Sequence, residues 1–147
     1  MSDDRARVAP SERFAVDHLV FDLAAEVAAL ESEAPKQHGH RQKTLFKSAG
    51  RTVALFVLDA GAGLAEHAAS GVVTVQAFEG ELDVMAGTTA AAGGTDYHLR
   101  PGMLLTMAPG VRHDVRAQTR AVFLLQVSIV SEPNRASGSG SGAAVEQ

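Results

Sequence analysis

Two hydrophobic rhythms divide this chain. Early on, Val16, Leu19, Val20, Leu23, Val27 and Leu30 recur at helical spacing, while Asp17, Glu26 and Glu31 fall off the stripe. That is the pattern of a helix with one buried face. Pro10 and Ser11 supply one start for it, and Asp22 is a second candidate N-cap that shortens it to about residues 23–33 and leaves His18–Phe21 extended. Pro35 ends it in either case. From Lys43 the rhythm changes to short β runs: KTLFK, RTVALFVLD, VVTVQAFEG, ELDVMAG, DYHLR, MLLTMAP, VRHDVRA and AVFLLQVSIV. Gly50, Gly61, Gly71, Gly80, Gly87, Gly102 and Gly110 punctuate them. Many short strands with glycine turns predict an all-β sandwich or jelly roll.

The two ends read differently. Residues 1–11 are polar, and after Val130 the run SEPNRASGSGSGAAVEQ has almost no large apolar groups. Ordering the backbone costs about 1–2 kcal/mol per residue, and these segments have little to bury in return, so both are expected to be disordered. The expected layout is therefore a disordered start (1–11), a helical segment (12–35), a barrel (38–130) and a disordered tail (131–147), with GTTAAAGGT (87–95) as a hairpin tip. The 147 residues suffice for one core and not for two.

Composition narrows the function classes. The net charge is −4, and Arg41, Lys43, Lys47 and Arg51 are the one local basic cluster, alternating with other residues in a strand pattern. Without a basic stripe or a reading motif, nucleic acid is not an expected partner. The absence of cysteine excludes a disulfide scaffold and a thiol nucleophile. The start MSDDRARVAPSE lacks the look of a secretory signal, and no apolar run approaches membrane-spanning length, so neither a membrane nor export is expected and the cytoplasm is the default location.

The sharpest signal is a pair of spaced motifs. Gly61, His67 and Gly80 sit in GAGLAEHAASGVVTVQAFEG, and Gly102, Gly110 and His113 sit in GMLLTMAPGVRH. This resembles the two motifs of a cupin. In the first (G, five residues, H-x-H, three or four residues, E, six residues, G), Ala69 and Val73 occupy the second His and the Glu. In the second (G, five residues, P-x-G, two residues, H, three residues, N), Ala108 and Ala117 replace Pro and Asn. Over about residues 38–130 the chain is similar to small single-domain bacterial, RmlC-like cupins with a reduced ligand set. The resemblance implies a cupin jelly-roll β-barrel in which His67 and His113 converge at the mouth on one divalent metal (Zn, Fe, Mn or Ni), here weakly bound, or on a small molecule.

A catalytic metal usually keeps three protein ligands, and alanine and valine donate nothing. Gln76 is the nearest candidate third ligand, although strict alternation from Val73 points it to the other face unless a bulge intervenes. His40 and His98 are the other imidazoles able to approach the mouth; His98 also reads as an exposed strand residue, and His38 and His40 as a solvated loop. Glu66 and Asp114 alternate away from the motif histidines, and Lys43 and Lys47 read as a strand's solvent side. Leu55, Val57, Val75 and Leu125 are expected to line an apolar pocket. Two functions follow: a small-molecule-binding cupin with a degenerate metal site, its ligand contacts His67, His113, Gln76 and His40; or a metal-dependent enzyme of dioxygenase, isomerase or decarboxylase class using His67, His113 and Gln76. A homodimer through outer strands is the partner the resemblance adds, with AVFLLQVSIV either contributing to it or forming a central strand buried on both faces.

Overall fold

The computed structural model describes residues 18–33, 37–87 and 93–129. The expected disordered ends and most of the 87–95 hairpin tip lie outside them. The helix is the shorter alternative, α1 (Leu23–Glu31), because Asp22 caps it: its backbone is extended and its side chain accepts from the Ala25 N–H at 3.2 Å. No helix among the described residues is long and apolar enough to cross a membrane.

Among the described residues nine strands follow: β1 (His40–Ser48), β2 (Arg51–Leu58), β3 (Gly63–His67), β4 (Val72–Glu79), β5 (Leu82–Ala86), β6 (Thr95–Leu99), β7 (Leu104–Met107), β8 (His113–Ala117) and β9 (Ala121–Ser128). They make two antiparallel sheets, β1-β2-β9-β4-β7 and β3-β8-β5-β6. The fold is the expected all-β jelly roll with one short helix. Strand β9 lies inside the first sheet, between β2 and β4, and Ala121, Val122, Phe123 and Leu124 are all buried. That is why this segment is apolar without alternation.

Two apolar layers result. Between the sheets lie Ala54, Phe56 and Leu58 of β2, Val73, Val75 and Ala77 of β4, Phe123 of β9, and Leu82, Val84, Val115 and Ala117 of the second sheet. Outside the first sheet, Val27 and Leu30 of α1 cover Leu45, Val53, Leu55, Val57, Val122 and Leu124. Leu55 and Val57, expected in the pocket, are thus under the helix, whereas Val75 and Leu125 do face inward. Strand β2 is apolar on both faces because it has a partner layer on each. Lys43 also departs from expectation: it reaches α1, where its Nζ donates to Glu26 Oε1 at 2.6 Å.

One motif glycine has a steric reason. Gly80 has φ +72°, and a Cβ there would stand 1.9 Å from the Arg120 carbonyl oxygen. Only glycine permits that turn between β4 and β5.

Candidate functional site

The register of the second sheet sets its inward side chains in rows. Leu82 pairs with Ala117 and Leu99; one row further, Val84 pairs with Val115 and Tyr97, and Val115 with Leu64; in the last row Ala86 pairs with His113 and Thr95, and His113 with His67. The two motif histidines are therefore direct cross-strand neighbours at one end of the sandwich. Their ring centroids are 4.3 Å apart with planes at 62°. His113 is buried, 1% exposed, and His67 is exposed at the opening.

A bulge makes this possible. From Leu64 to His67 is an odd number of steps, so unbroken alternation from inward-facing Leu64 would turn His67 outward. The register of β3 against β8 slips by one between Leu64 and His67, so that Ala65 and Glu66 together oppose Asp114. Both His67 and Leu64 then face inward. Outside the ring pair, Arg112 clamps the strands: its Nε and a terminal nitrogen each lie 3.1 Å from Glu66 Oε1. Glu66 and Arg112 thus act on the strands and not on the imidazoles.

The rings are oriented alike. His67 Nδ1 is 3.0 Å from the Ala65 carbonyl oxygen and His113 Nδ1 is 3.0 Å from that of Val111, each two residues upstream. A carbonyl only accepts, so each bond places a proton on Nδ1, and in the neutral ring Nε2 keeps a lone pair. His113 Nε2 is buried with no hydrogen-bond partner among the described residues. Burial lowers the His113 pKa below the ordinary imidazole value, the Val111 carbonyl opposes that shift, and the neighbouring His67 adds to it. His113 is held neutral.

The corresponding row of the first sheet runs Lys47, Thr52, Val127, Val73, Met107. Val73, 2% exposed, and Ala69 both pack in the inter-sheet layer. The positions where the motif expects further metal ligands are thus inward and apolar. The Gly110 N–H donates to the Ala69 carbonyl at 2.8 Å, tying the two motifs together. Thr52 and Thr95 are hydroxyl residues of these end rows that the sequence did not single out; only cross-strand register reveals them.

Two expected site residues lie elsewhere. Gln76 pairs with Leu124 and Leu104, on the face opposite Val73, Val75 and Ala77. The bulge that could have turned it inward occurs after it, between Ala77 and Glu79. His40 faces inward but at the far end: it pairs with Leu58, which pairs with Ala121, whereas β3 leads into β4 where Val72 pairs with Ser128. Its ring stacks on Phe56 at 5.5 Å and its Nε2 is 2.7 Å from Gln42 Oε1. His98 lies on the outside of the second sheet, between Asp83 Oδ1 at 2.7 Å and Glu81 Oε1 at 2.5 Å.

A metal can be tested against this donor set. Each Nδ1 is satisfied by a carbonyl, which is how metal-bound imidazoles are commonly oriented. Yet among the described residues no group of three His, Cys, Asp or Glu side chains comes together to hold an ion. Two imidazoles fill two corners of a coordination sphere, and a three-ligand catalytic centre does not fit.

No protein-family model matches this sequence, and no curated protein does. Solved structures do match. A cupin superfamily protein from Desulfitobacterium hafniense is 16% identical with a TM-score of 0.58, covering 69% of this chain and 87% of that one. An RmlC-like cupin from Shewanella frigidimarina is 21% identical with a TM-score of 0.58, covering 68% and 86%. A glycine-to-alanine mutant of salicylate 1,2-dioxygenase from Pseudoaminobacter salicylatoxidans is 17% identical with a TM-score of 0.63, covering 74% of this chain and 34% of that one. At these identities the likeness establishes the fold.

Proposed function

Starting from this cupin jelly roll, we propose that the chain binds a small molecule at the end of the sandwich where His67 and His113 meet, with the two imidazoles as polar anchors. One observation carries the reading: among the described residues, His113 Nε2 is buried without a partner. An unmet buried acceptor costs about 1–3 kcal/mol, and a guest that hydrogen-bonds it recovers that cost. The apolar surroundings, Ala69, Val73 and Met107, suit a mostly apolar guest with few polar contacts.

The test is a thermal-shift screen of small metabolites on the wild-type chain and on His113→Ala. Compounds that raise the wild-type midpoint and leave the variant's unchanged support the reading. A screen in which every hit acts equally on both chains removes it.

The orientation of both Nδ1 atoms favours a second reading, a metal-dependent enzyme on the same two histidines with water or substrate completing the shell. One structural neighbour is a salicylate 1,2-dioxygenase, which supports an enzymatic reading of the fold. Metal analysis of protein purified without chelators decides between the two, since near-stoichiometric metal supports the enzyme. A homodimer belongs to the first reading as well: Leu104 on edge strand β7 is 59% exposed, with Met103 and Phe78 also exposed. Size-exclusion chromatography tests it.

A further inference from the structure

The two rings also restrict what kind of guest they can hold, an inference that rests on the guest-binding reading above. Each imidazole spends its Nδ1 proton on a backbone carbonyl, at 3.0 Å in both cases. In the neutral rings the nitrogens that remain can only accept. We propose that this end of the sandwich selects its guest by a hydrogen-bond donor: it takes a molecule with an N–H or O–H group on an uncharged apolar body, an alcohol, phenol or aromatic amine, and turns away carboxylates and phosphates.

Three observations converge on this. First, the buried acceptor is His113 Nε2, which has no partner among the described residues; a donor satisfies it, whereas an anionic oxygen would set lone pair against lone pair. Second, the side chains of the end rows that would surround a guest, Ala69, Ala86, Val73, Met107 and Val127, carry no charge to balance an anion. The cation nearest by register is Lys47, paired with Thr52 on the free edge strand β1, and its side chain is exposed to water. Arg112 is engaged by Glu66 on the outer side. Third, a switch of tautomer that would let Nε2 donate would break both carbonyl bonds. For the buried ring that would leave the Val111 carbonyl without its donor. The donor preference is built into the backbone geometry beside each ring.

The experiment uses the full chain, isotopically labelled at the histidine ring nitrogens, and three probes that share a phenyl ring: benzyl alcohol and aniline, both uncharged donors near neutral pH, and the anion phenylacetate. In the free protein, at a pH where the imidazoles are neutral, both rings should show the nitrogen pattern of the Nδ1–H tautomer. Benzyl alcohol and aniline should then shift the His113 Nε2 resonance, and phenylacetate at the same concentration should not. An Nε2–H tautomer at His113, or a phenylacetate shift equal to that of the alcohol, overturns the donor rule while leaving guest binding standing. If none of the three probes moves the resonance, the guest-binding reading itself falls, and the donor rule with it.

Discussion

At the scale of single residues, two histidines on the second sheet titrate in opposite senses. His98 has each ring nitrogen against a carboxylate, Asp83 and Glu81, and its pKa is raised above 6.5, by hydrogen bonding to Asp83 first and to Glu81 second. A group whose folded pKa exceeds its unfolded value contributes stability that is fully present below the unfolded pKa and is lost as pH rises through the folded one. Denaturant titrations of wild type and His98→Gln should therefore differ most between pH 5 and 6.5, near ~6.5 being the unfolded imidazole pKa, and should converge above the raised value. Curves that stay parallel across that range would mean that the carboxylates do not hold His98 charged. His113 has the other sign. Its pKa is lowered by burial, so its stabilising neutrality is present above the unfolded value and is lost as pH falls below it toward the folded pKa. His113→Gln should flatten the acid side of the stability profile of the wild-type chain, and an unchanged acid limb would rule this out.

At the scale of elements, the helix and the bulge do separate jobs. Leu30, 1% exposed, anchors α1 on the outside of the first sheet, away from the histidine pair on the second. Leu30→Ala should cost about 2–5 kcal/mol, the usual range for a buried leucine truncated to alanine, while leaving the His67 and His113 ring resonances where they are. Movement of those resonances would mean that the helix supports the site through the sheet. Much of this was legible in the sequence. The strand runs and the glycines between them marked the jelly roll, Asp22 marked the helix start, and the spaced motifs picked out His67 and His113 as a pair. What stayed hidden depends on register and layering. Strand β2 is apolar at every position from Val53 to Leu58, so alternation says nothing about which residues line the interior, and Leu55 and Val57 were assigned to the wrong layer. The β3 bulge lies between Leu64 and His67 in a stretch, LAEH, with no glycine to announce it. Gln76 is a polar residue whose neighbours are apolar on both sides, and only the position of the β4 bulge fixes its face. His40 needed strand pairing to reveal which end it occupies.

For the whole molecule, the apolar replacements in the first motif bear on how folding couples to metal. Val73 is 2% exposed beside Val127 and Met107, and Ala69 packs in the same layer. A carboxylate placed at Val73 is buried with no charge partner among these neighbours, which costs about 1–3 kcal/mol or more unless an ion meets it. Ala69→His with Val73→Glu should thus lower the metal-free thermal midpoint by several degrees, since about 1 kcal/mol moves the midpoint of a chain of this size by roughly 3–5 °C. Divalent metal should then restore it, because an ion that binds only the folded state stabilises it by mass action. The wild-type chain, with two neutral donors, should move little under the same zinc or nickel titration, and the variant should bind at least tenfold tighter by calorimetry, about 1.4 kcal/mol. The contrast between the two chains is decisive, because a fourfold set of ligands in the variant and a pair in the wild type differ in nothing else of the fold. A wild-type midpoint that rises with metal as much as the variant's would mean that His67 and His113 already hold an ion with ligands from solvent or guest, and the chain would then be read as a metalloprotein.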